Sequence, residues 1–568
     1  MCILDQSRDV GPWGQTNHRT HQCFAAFLAL LLASPTCGAP AAAANPNDKS
    51  PEPSPIPVSA VETSNQRPAA SRQPIYIKEF RVRGVHHLPR GVVEATVYPF
   101  LGPGRTENDV EQARGALEKA YQDKGYQTVS VQVPQQTATR GIVVLQVSEQ
   151  PVGRLRVHGS RYFSLQKVKK GAPSLAEGSV PIFSDVTRDI VALNQLPDRR
   201  ITPGLHAGVE PGTVDVDLTV KDTLPLHGSL ELNNRYSADT KPLRLNGSVS
   251  YNNLWQLGHS IGASFQISPE NINQVKVFSG YYVARIPDVP WLSFSTVGVK
   301  QLSNVSTLGG IAVAGRGEIL SARAIMALPA GTDFYHTFTL GFDYKHFNQG
   351  ARVAAGPLSD TPITYYPLSA DYSATWSNKG AVTDFDASII ANLRGLGSDE
   401  EEFDLNRFRA RGSFFYLRGS IAHTHDLPGR LQAFGKAQGQ VTGQPLVNSE
   451  QLAGGGLATV RGYLEAEAIG DNGIFGSFEL RTPQLARWTK SEGNDWRAYI
   501  FTEGGVLTIQ DALPAQASSF TLASIGLGTR FRLLNHLNGS FDLSLPLLNL
   551  IQTDAFDTNI TFRLWTDF

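Results

Sequence analysis

Asn559-Ile560-Thr561-Phe562-Arg563-Leu564-Trp565-Thr566-Asp567-Phe568 is the stretch of sequence that decides the fold. Successive side chains of an extended chain point to opposite faces. One face of this segment is apolar, and it carries Ile560, Phe562, Leu564 and Phe568. The other face carries Asn559, Thr561, Arg563 and Asp567. An apolar and a polar face suit a strand between lipid and water, so the segment predicts the last strand of a transmembrane antiparallel β-barrel.

The same two-residue period recurs through the second half of the chain. Residues 243–252 and 260–268 both alternate apolar with polar side chains. A bilayer accepts strands only within a closed sheet, and barrel strands leave the average hydropathy low. A water-soluble β-sandwich would alternate as well, so single strands do not distinguish the two folds. We place the predicted barrel at residues 224–568.

A weak internal repeat precedes this region. Phe80-Arg81-Val82-Arg83-Gly84 returns as Leu155-Arg156-Val157-His158-Gly159, 75 residues later (80 to 155). Each copy continues with helical spacing and closes with further strands. In the first copy Thr106 is the expected N-cap of a helix, and in the second Ser184 is expected to cap a helix that runs to Leu196. The sequence therefore predicts two consecutive β-α-α-β-β units, at residues 74–149 and 150–223.

The N-terminal residues have the pattern of a secretory leader. An apolar run at residues 23–33 follows Arg19 and precedes an Ala-rich stretch. We predict a signal peptide at residues 1–39, with cleavage as late as residue 44, and a Pro/Ala/Ser-rich linker at residues 40–73. All three cysteines, Cys2, Cys23 and Cys37, fall in the leader. Disulfides, thiolate zinc sites and cysteine nucleophiles are therefore not expected in the mature chain.

Composition and two short motifs narrow the function classes. The chain has 50 basic and 51 acidic residues in 568, so no nucleic-acid partner is expected. Gly258-His259-Ser260-Ile261-Gly262 matches the G-x-S-x-G of serine hydrolases, but Ser260 begins an alternating strand instead of a strand–turn–helix elbow. His423 and His425 share a face without further ligands nearby in sequence. Neither motif predicts catalysis or metal binding.

A glycine-rich segment, residues 454–463, ends in Val460-Arg461-Gly462-Tyr463. Downstream, Phe501-Thr502-Glu503-Gly504-Gly505 places Phe501, Glu503 and Gly505 on one strand face, with Glu503 expected to point into the barrel lumen. An arginine at a loop tip can make a bidentate contact with a carboxylate of the wall. Gly462 would permit a tight turn, and Tyr463 would pack against the wall.

These two motifs, together with the amphipathic strands, resemble the signatures of two-partner secretion outer-membrane transporters. This is the haemolysin/filamentous haemagglutinin secretion-activation family of the POTRA plus β-barrel superfamily. The resemblance implies that the 460–463 motif lies on a loop folded into the lumen and that Arg461 pairs with Glu503, although the family pattern has Asp where this chain has Glu503. It also implies that the two α+β units are POTRA domains and that the barrel has sixteen strands. About 340 residues then leave roughly 21 for each strand and its connection, which suits a ten-residue span.

The resemblance implies a transporter, not an enzyme, with no cofactor and no metal. The POTRA domains would recognise an unfolded exoprotein in the periplasm through its N-terminal secretion domain, and the barrel would secrete it across the outer membrane of a Gram-negative bacterium. The further partners would be outer-membrane lipid and the barrel-assembly machinery, for which Phe568 resembles the C-terminal signal. An assembly factor for other barrels, from the same superfamily, is the alternative, and an outer-membrane hydrolase using Ser260 is a remote one.

Overall fold

The computed structural model describes residues 74–568, apart from residues 137–138, 239, 288, 304, 307–312, 315, 352–358, 487–492, 515 and 535. The predicted signal peptide and linker, residues 1–73, lie outside the described residues. The chain divides into two compact units, one containing residues 74–194 and 199–223 and the other containing residues 195–198 and 224–568. No helix within the described ranges is long and apolar enough to cross a bilayer.

The first unit begins with a small α+β fold. Its elements are β1 (Ile75–Ile77), β2 (Glu79–Arg83), α1 (Arg90–Val97), β3 (Gly102–Arg105), α2 (Glu107–Asp123), β4 (Val129–Gln132) and β5 (Ile142–Glu149). The sheet order is β2-β5-β4, with β2 parallel and β4 antiparallel to β5. Helix α2 begins after Thr106, as predicted, because the Thr106 N–H donates to Asp109 at 2.8 Å and closes the first turn. Apolar faces of both helices and of the sheet form one core.

The second half of this unit has the predicted order of strand, helix, helix, strand and strand, without counterparts of β1 and β3, which pair with each other in the first half and were not predicted. The elements are β6 (Val152–His158), α3 (Leu165–Lys170), α4 (Phe183–Leu193), β7 (Arg199–Ala207) and β8 (Val214–Asp222), with the sheet order β6-β8-β7. The prediction for α4 was wrong at both ends. The helix starts at Phe183, whose N–H donates to the Gly125 carbonyl at 2.9 Å, so Ser184 does not serve as a side-chain cap. It stops before Leu196 because the Asn194 side chain bonds the backbone of Ile201.

The second unit is a closed antiparallel barrel. Its strands are β9 (Leu226–Asn233), β10 (Arg244–Leu254), β11 (His259–Ile267), β12 (Lys276–Arg285), β13 (Leu292–Gln301), β16 (Arg316–Ala327), β17 (Phe334–Ala351), β18 (Ser359–Tyr365), β19 (Leu368–Asn378), β20 (Ala381–Asn392), β21 (Phe414–Asp426), β22 (Gln432–Thr442), β25 (Asn472–Arg481), β26 (Asp495–Thr508), β27 (Ser519–Leu533), β28 (Leu537–Pro546) and β29 (Asn559–Asp567). Two small pairs, β14 (Val305–Ser306) with β15 (Val313–Ala314) and β23 (Leu452–Gly454) with β24 (Ala468–Gly470), and the helix α5 (Glu400–Asn406) lie in connections.

The barrel has sixteen strand positions, which confirms the predicted fold class. Both β18 and β19 pair with β17, so they are two halves of one strand, interrupted where Pro367 has no N–H to donate. The last strand β29 pairs with the first strand β9 and closes the ring. Polar residues of the strands are buried and large apolar residues are exposed, which is the reverse of a soluble sandwich and suits a wall with lipid outside.

Candidate functional site

The site is built on the long connection between β22 and β25, residues 443–471, which we call the lumen loop. Its two legs pair with each other through β23 and β24. Between them, the chain turns back at Gly462, whose φ of 99° lies in the region that favours glycine. Arg461 and Tyr463, on either side of that turn, are both buried, with only 3% of their surface exposed. The predicted motif therefore lies at the tip of the loop, enclosed by the wall.

Arg461 makes the densest set of contacts in the loop. Its Nε and Nη2 donate to Glu503 Oε1 at 3.0 and 2.6 Å, and its backbone N–H donates to Glu503 Oε2 at 2.7 Å. Nη2 also donates to Glu479 Oε1 at 2.8 Å, and Nη1 donates to Asp542 Oδ1 at 2.9 Å. The guanidinium lies over the Phe501 ring, 3.6 Å from its centroid. One cation is thus bound by three carboxylates and one aromatic face.

The wall residues meet at Arg461 because strand alternation sends them into the lumen. Glu479 lies on β25, Glu503 on β26 and Asp542 on β28. In the Phe501-x-Glu503-x-Gly505 pattern, Phe501 supplies the ring and Glu503 supplies the carboxylate. A Cβ on Gly505 would stand 2.1 Å from the Phe475 ring, so Gly505 makes room for its neighbour.

Sequence reasoning did not anticipate Glu479 and Asp542. Glu479 is shared with two other arginines, since Arg481 Nη2 and Arg530 Nη2 lie 2.8 and 3.2 Å from it. Three carboxylates therefore face three guanidinium groups, and the formal charge of the cluster is balanced. The signal was available in the sequence, because both acids occupy the polar face of a strand. Nothing in their spacing shows which strands meet across the loop.

The remaining loop residues fasten the tip to neighbouring wall segments. Val460 is fully buried and packs in one apolar cluster with Tyr463. The Tyr463 hydroxyl lies 3.1 and 2.8 Å from the carbonyl oxygens of Ala523 and Leu548. On the other side of the turn, Glu465 accepts from Arg235 Nε at 2.6 Å. The loop is therefore held by contacts with wall segments near both ends of the barrel sequence.

The serine and histidine motifs and Phe568 lie outside the lumen loop. Ser260 is a buried residue of β11 and faces Val283 of β12, so no helix follows it. His423 and His425 stack 5.9 Å apart in β21. No group of His, Cys, Asp and Glu in the described part of the chain is arranged to hold a metal ion. Phe568 exchanges backbone bonds with Gly228 of β9, at 3.0 and 3.1 Å, and its role as an assembly signal stays a prediction.

Comparison with known proteins agrees with this architecture. Residues 75–150 match the ShlB-type POTRA domain family, and residues 337–531 match the family described as haemolysin secretion/activation protein ShlB/FhaC/HecB. The outer membrane transporter CdiB of Dickeya dadantii (strain 3937) is 22% identical over 409 residues, which are 66% of this chain and 66% of that protein.

Two further relatives cover more of the chain. CdiB of Escherichia coli O6:K15:H31 (strain 536 / UPEC), also an outer membrane transporter, is 22% identical over 521 residues, or 86% of this chain and 82% of the relative. The solved structure of CdiB from Escherichia coli superposes with a TM-score of 0.62 at 20% identity, covering 90% of this chain and 93% of that one. The chain is therefore a POTRA-containing outer-membrane β-barrel that resembles the two-partner secretion transporters of the haemolysin secretion/activation family.

Proposed function

We propose that residues 74–223, as two POTRA domains, capture an unfolded exoprotein in the periplasm through its N-terminal secretion domain. The barrel then passes the exoprotein to the cell exterior. The observation that carries this proposal is the lumen loop. It occupies the interior of the barrel, yet its Arg461 tip is fastened to β25, β26 and β28 by ion pairs and hydrogen bonds to wall carboxylates and not by strand pairing. Such contacts can be released and formed again without breaking the wall.

The direction of exoprotein transport has to be set by a process outside the barrel. No Walker motif or dinucleotide fingerprint accompanies the sequence, so nucleotide-driven export has no support. An exoprotein that folds after it emerges withdraws the unfolded chain from the equilibrium and favours further passage. The transporter then needs only to recognise an unfolded segment and to provide a path that the loop can clear.

The experiment compares the culture supernatant and the outer-membrane proteome of a deletion strain with those of its parent. We expect one large secreted protein to disappear from the supernatant while the outer-membrane profile stays the same. Re-expression of the wild-type chain should restore it. Depletion of many barrel proteins would instead identify an assembly factor for other barrels, and an unchanged supernatant would refute secretion.

Open backbone groups at a sheet edge would supply the capture site, since an extended peptide can add to such an edge. Both edges of the second POTRA sheet are partly closed. Val152 of β6 exchanges backbone bonds with residues 178 and 179. Ile201 of β7 exchanges both of its backbone bonds with the Asn194 side chain. Pro203, two residues on and therefore facing the same way, has no donor.

The first POTRA sheet is closed on one side only. At its β4 edge, the Arg114 guanidinium donates to the Val131 carbonyl at 3.2 Å. This side chain occupies an acceptor that an added strand would need. The short length of β4, four residues, limits that edge further.

The β2 edge is the open one. The Gln136 side chain bonds the backbone N–H and C=O of Val144 at 2.7 and 2.8 Å, so these two groups point away from β2. The backbone groups of the neighbouring residues, Val143 and Leu145, then point towards β2. Because Phe80 and Val82 are their register partners in a parallel pair, the N–H and C=O groups of Phe80 and Val82 point outward. Within the described residues, neither of these outward pairs has a hydrogen-bond partner. The β2 edge therefore supports capture of an extended exoprotein segment by strand addition.

A proline at the open edge tests this part of the proposal. Val82→Pro removes one outward donor, and Val82→Ala, the matched control, loses apolar contact but keeps the N–H. We expect secretion to be about fivefold lower in the proline variant than in the alanine variant, since one such bond contributes roughly 1 kcal/mol. Equal secretion by the two variants would remove the β2 edge from the capture site.

A further inference from the structure

A second buried charge cluster lies in the lumen loop, outside the sequence motif. Glu450, on the leg that follows β22, has no exposed surface. Its Oε1 lies 2.5 Å from Lys345 Nζ and accepts from the Tyr365 hydroxyl at 2.6 Å. Its Oε2 accepts from the Tyr416 hydroxyl at 2.6 Å. One loop carboxylate therefore meets one cation and two hydroxyl donors of the wall.

The donors are themselves fixed. Lys345 has no exposed surface, and its ammonium lies 5.7 Å from the centroid of the Tyr365 ring. The Tyr365 hydroxyl also lies 2.7 Å from the Ser449 hydroxyl. Loop residues 446 and 447 pack with both tyrosines in one apolar cluster. The whole leg is thus seated against the wall, and the ion pair lies within that contact.

The two clusters use different strands of the wall. With β9 as the first of sixteen positions, Lys345 on β17 is at the seventh, Tyr365 on β18 at the eighth and Tyr416 on β21 at the tenth. The acids that bind Arg461, on β25, β26 and β28, are at the twelfth, thirteenth and fifteenth. The lumen loop is therefore fastened to two separate arcs of the wall, at Glu450 to one and at Arg461 to the other.

We propose that the Lys345–Glu450 pair is a second fastening of the lumen loop, which positions its first leg and has to release before the lumen opens fully. This rests on the proposed role of the loop as the movable part of the secretion path. Release of Arg461 alone frees the tip but leaves the leg on the β17 side. A charge left unpaired in a buried site is strongly disfavoured, so each partner holds the other in place.

Single-channel recording of the purified full-length chain in planar lipid bilayers tests this without any exoprotein. Glu450→Gln and Lys345→Met should each raise the open probability about tenfold, because each leaves a buried group without its partner. Combining Glu450→Gln with Arg461→Ala should multiply the two single effects, since the two fastenings share no partner. The reversed pair, Lys345→Glu with Glu450→Lys, should return the open probability towards that of the wild type.

Folding and secretion are scored separately. Heat-dependent mobility on gels reports whether each variant still forms a barrel, and the reversed pair covers the case in which a single variant does not. The matched control is the exposed pair Lys300–Glu318, 2.7 Å apart between β13 and β16, with Lys300→Met and Glu318→Gln expected to leave the open probability unchanged. Wild-type open probability in folded Glu450→Gln, or no recovery in the reversed pair, would overturn the second fastening. A failure to find any secreted exoprotein would refute the proposed function but would not overturn the second fastening, because the recording needs no exoprotein.

Discussion

Carboxylates are used differently in the two units of this protein. In the barrel, three acids from three strands converge on the Arg461 side chain. In the first POTRA domain, one acid, Glu149, accepts from the backbone N–H groups of His86 and His87 at 2.9 and 3.0 Å and from the Tyr121 hydroxyl at 2.6 Å. In the second, Asp222 accepts from three consecutive N–H groups, those of Arg161, Tyr162 and Phe163.

The difference lies in what each contact holds. Glu149 and Asp222 close the turn that follows the first strand of each repeat, and their main-chain donors cannot move without unfolding that turn. Arg461 lies on a loop and reaches its acids through a long side chain, with one further bond from its backbone N–H to Glu503. Its contacts can break while the strands that carry the acids stay paired. A carboxylate bound by the main chain of a tight turn therefore stabilises a shape, and carboxylates bound by the tip of a long loop stabilise a position that can change.

Removal of the shared cation should have the largest effect. Arg461→Ala leaves three acids facing two arginines in a buried site, and we expect the docked loop to lose about 3–5 kcal/mol. Secretion should fall, because the loop no longer returns to one position between passages. Exoprotein in the supernatant is the measurement, with heat-dependent gel mobility to show that the barrel still folds.

Two variants sharpen that result. Arg461→Lys keeps the charge but loses the planar fork, so its secretion should lie between those of the wild type and Arg461→Ala. Arg394→Ala removes an exposed arginine that pairs with Glu400 and should be neutral. Wild-type secretion by Arg461→Ala would mean that the cluster has no part in export.

The acids themselves should not be equivalent. Glu503 accepts three bonds from Arg461, whereas Asp542 accepts one from Arg461 and one from the Tyr499 hydroxyl. Glu503→Gln should therefore weaken docking by about 3 kcal/mol and Asp542→Asn by about half of that. The open probability of each variant in planar bilayers measures how strongly its loop is docked. Glu503→Asp, which keeps the charge, is the control. The reverse order would show that the number of bonds does not set the strength of the fastening.

The stability of the first POTRA domain should depend on pH through Glu149. Burial alone would raise the pKa of Glu149, but the bonds from Tyr121, His86 and His87 outweigh it and lower that pKa to about 2. A folded pKa below the ordinary value of 4.5 stabilises the fold above pH 4.5, and this stabilisation is lost as the pH falls from 4.5 towards 2. We expect a loss of about 1–2 kcal/mol, since solvent screens the exposed imidazoles.

Hydrogen exchange in the full-length chain measures this loss. Protection of the two amides at His86 and His87, corrected for the intrinsic rate, should be constant from pH 7 to pH 5 and should fall below pH 4.5. Glu149→Gln should show lower protection throughout and no such step. A step that persists in Glu149→Gln would assign the transition to another group.

The sequence was sufficient for most of the architecture. Alternation in Asn559–Phe568 and in the earlier strands predicted the barrel, because lipid outside and water inside impose the same period on every strand. The repeat at Phe80 and Leu155 predicted two similar units for the same kind of reason. Helix α4 was misplaced because its first amide bonds Gly125, a partner almost 60 residues away in sequence (125 to 183), and no local signal reports that contact.

The site was less predictable. The Arg461–Glu503 contact was expected from the resemblance of two motifs to those of a known family, but Glu479 and Asp542 depend on the register between strands and on how the loop lies across them. Glu450 had no motif at all, and its partners Lys345 and Tyr416 are separated by 105 and 34 residues in the chain. Long-range pairing of this kind is set by barrel closure, which periodicity along one segment does not contain.

The order of the strands that hold Arg461 also bears on biogenesis. The arginine is synthesised before all three of its acids, and the last of them, Asp542, lies on β28, the penultimate strand of the closed barrel. A barrel that has not yet incorporated β28 can bind the loop tip with two acids at most. Full seating of the loop thus reports, from within the lumen, that the wall is nearly complete.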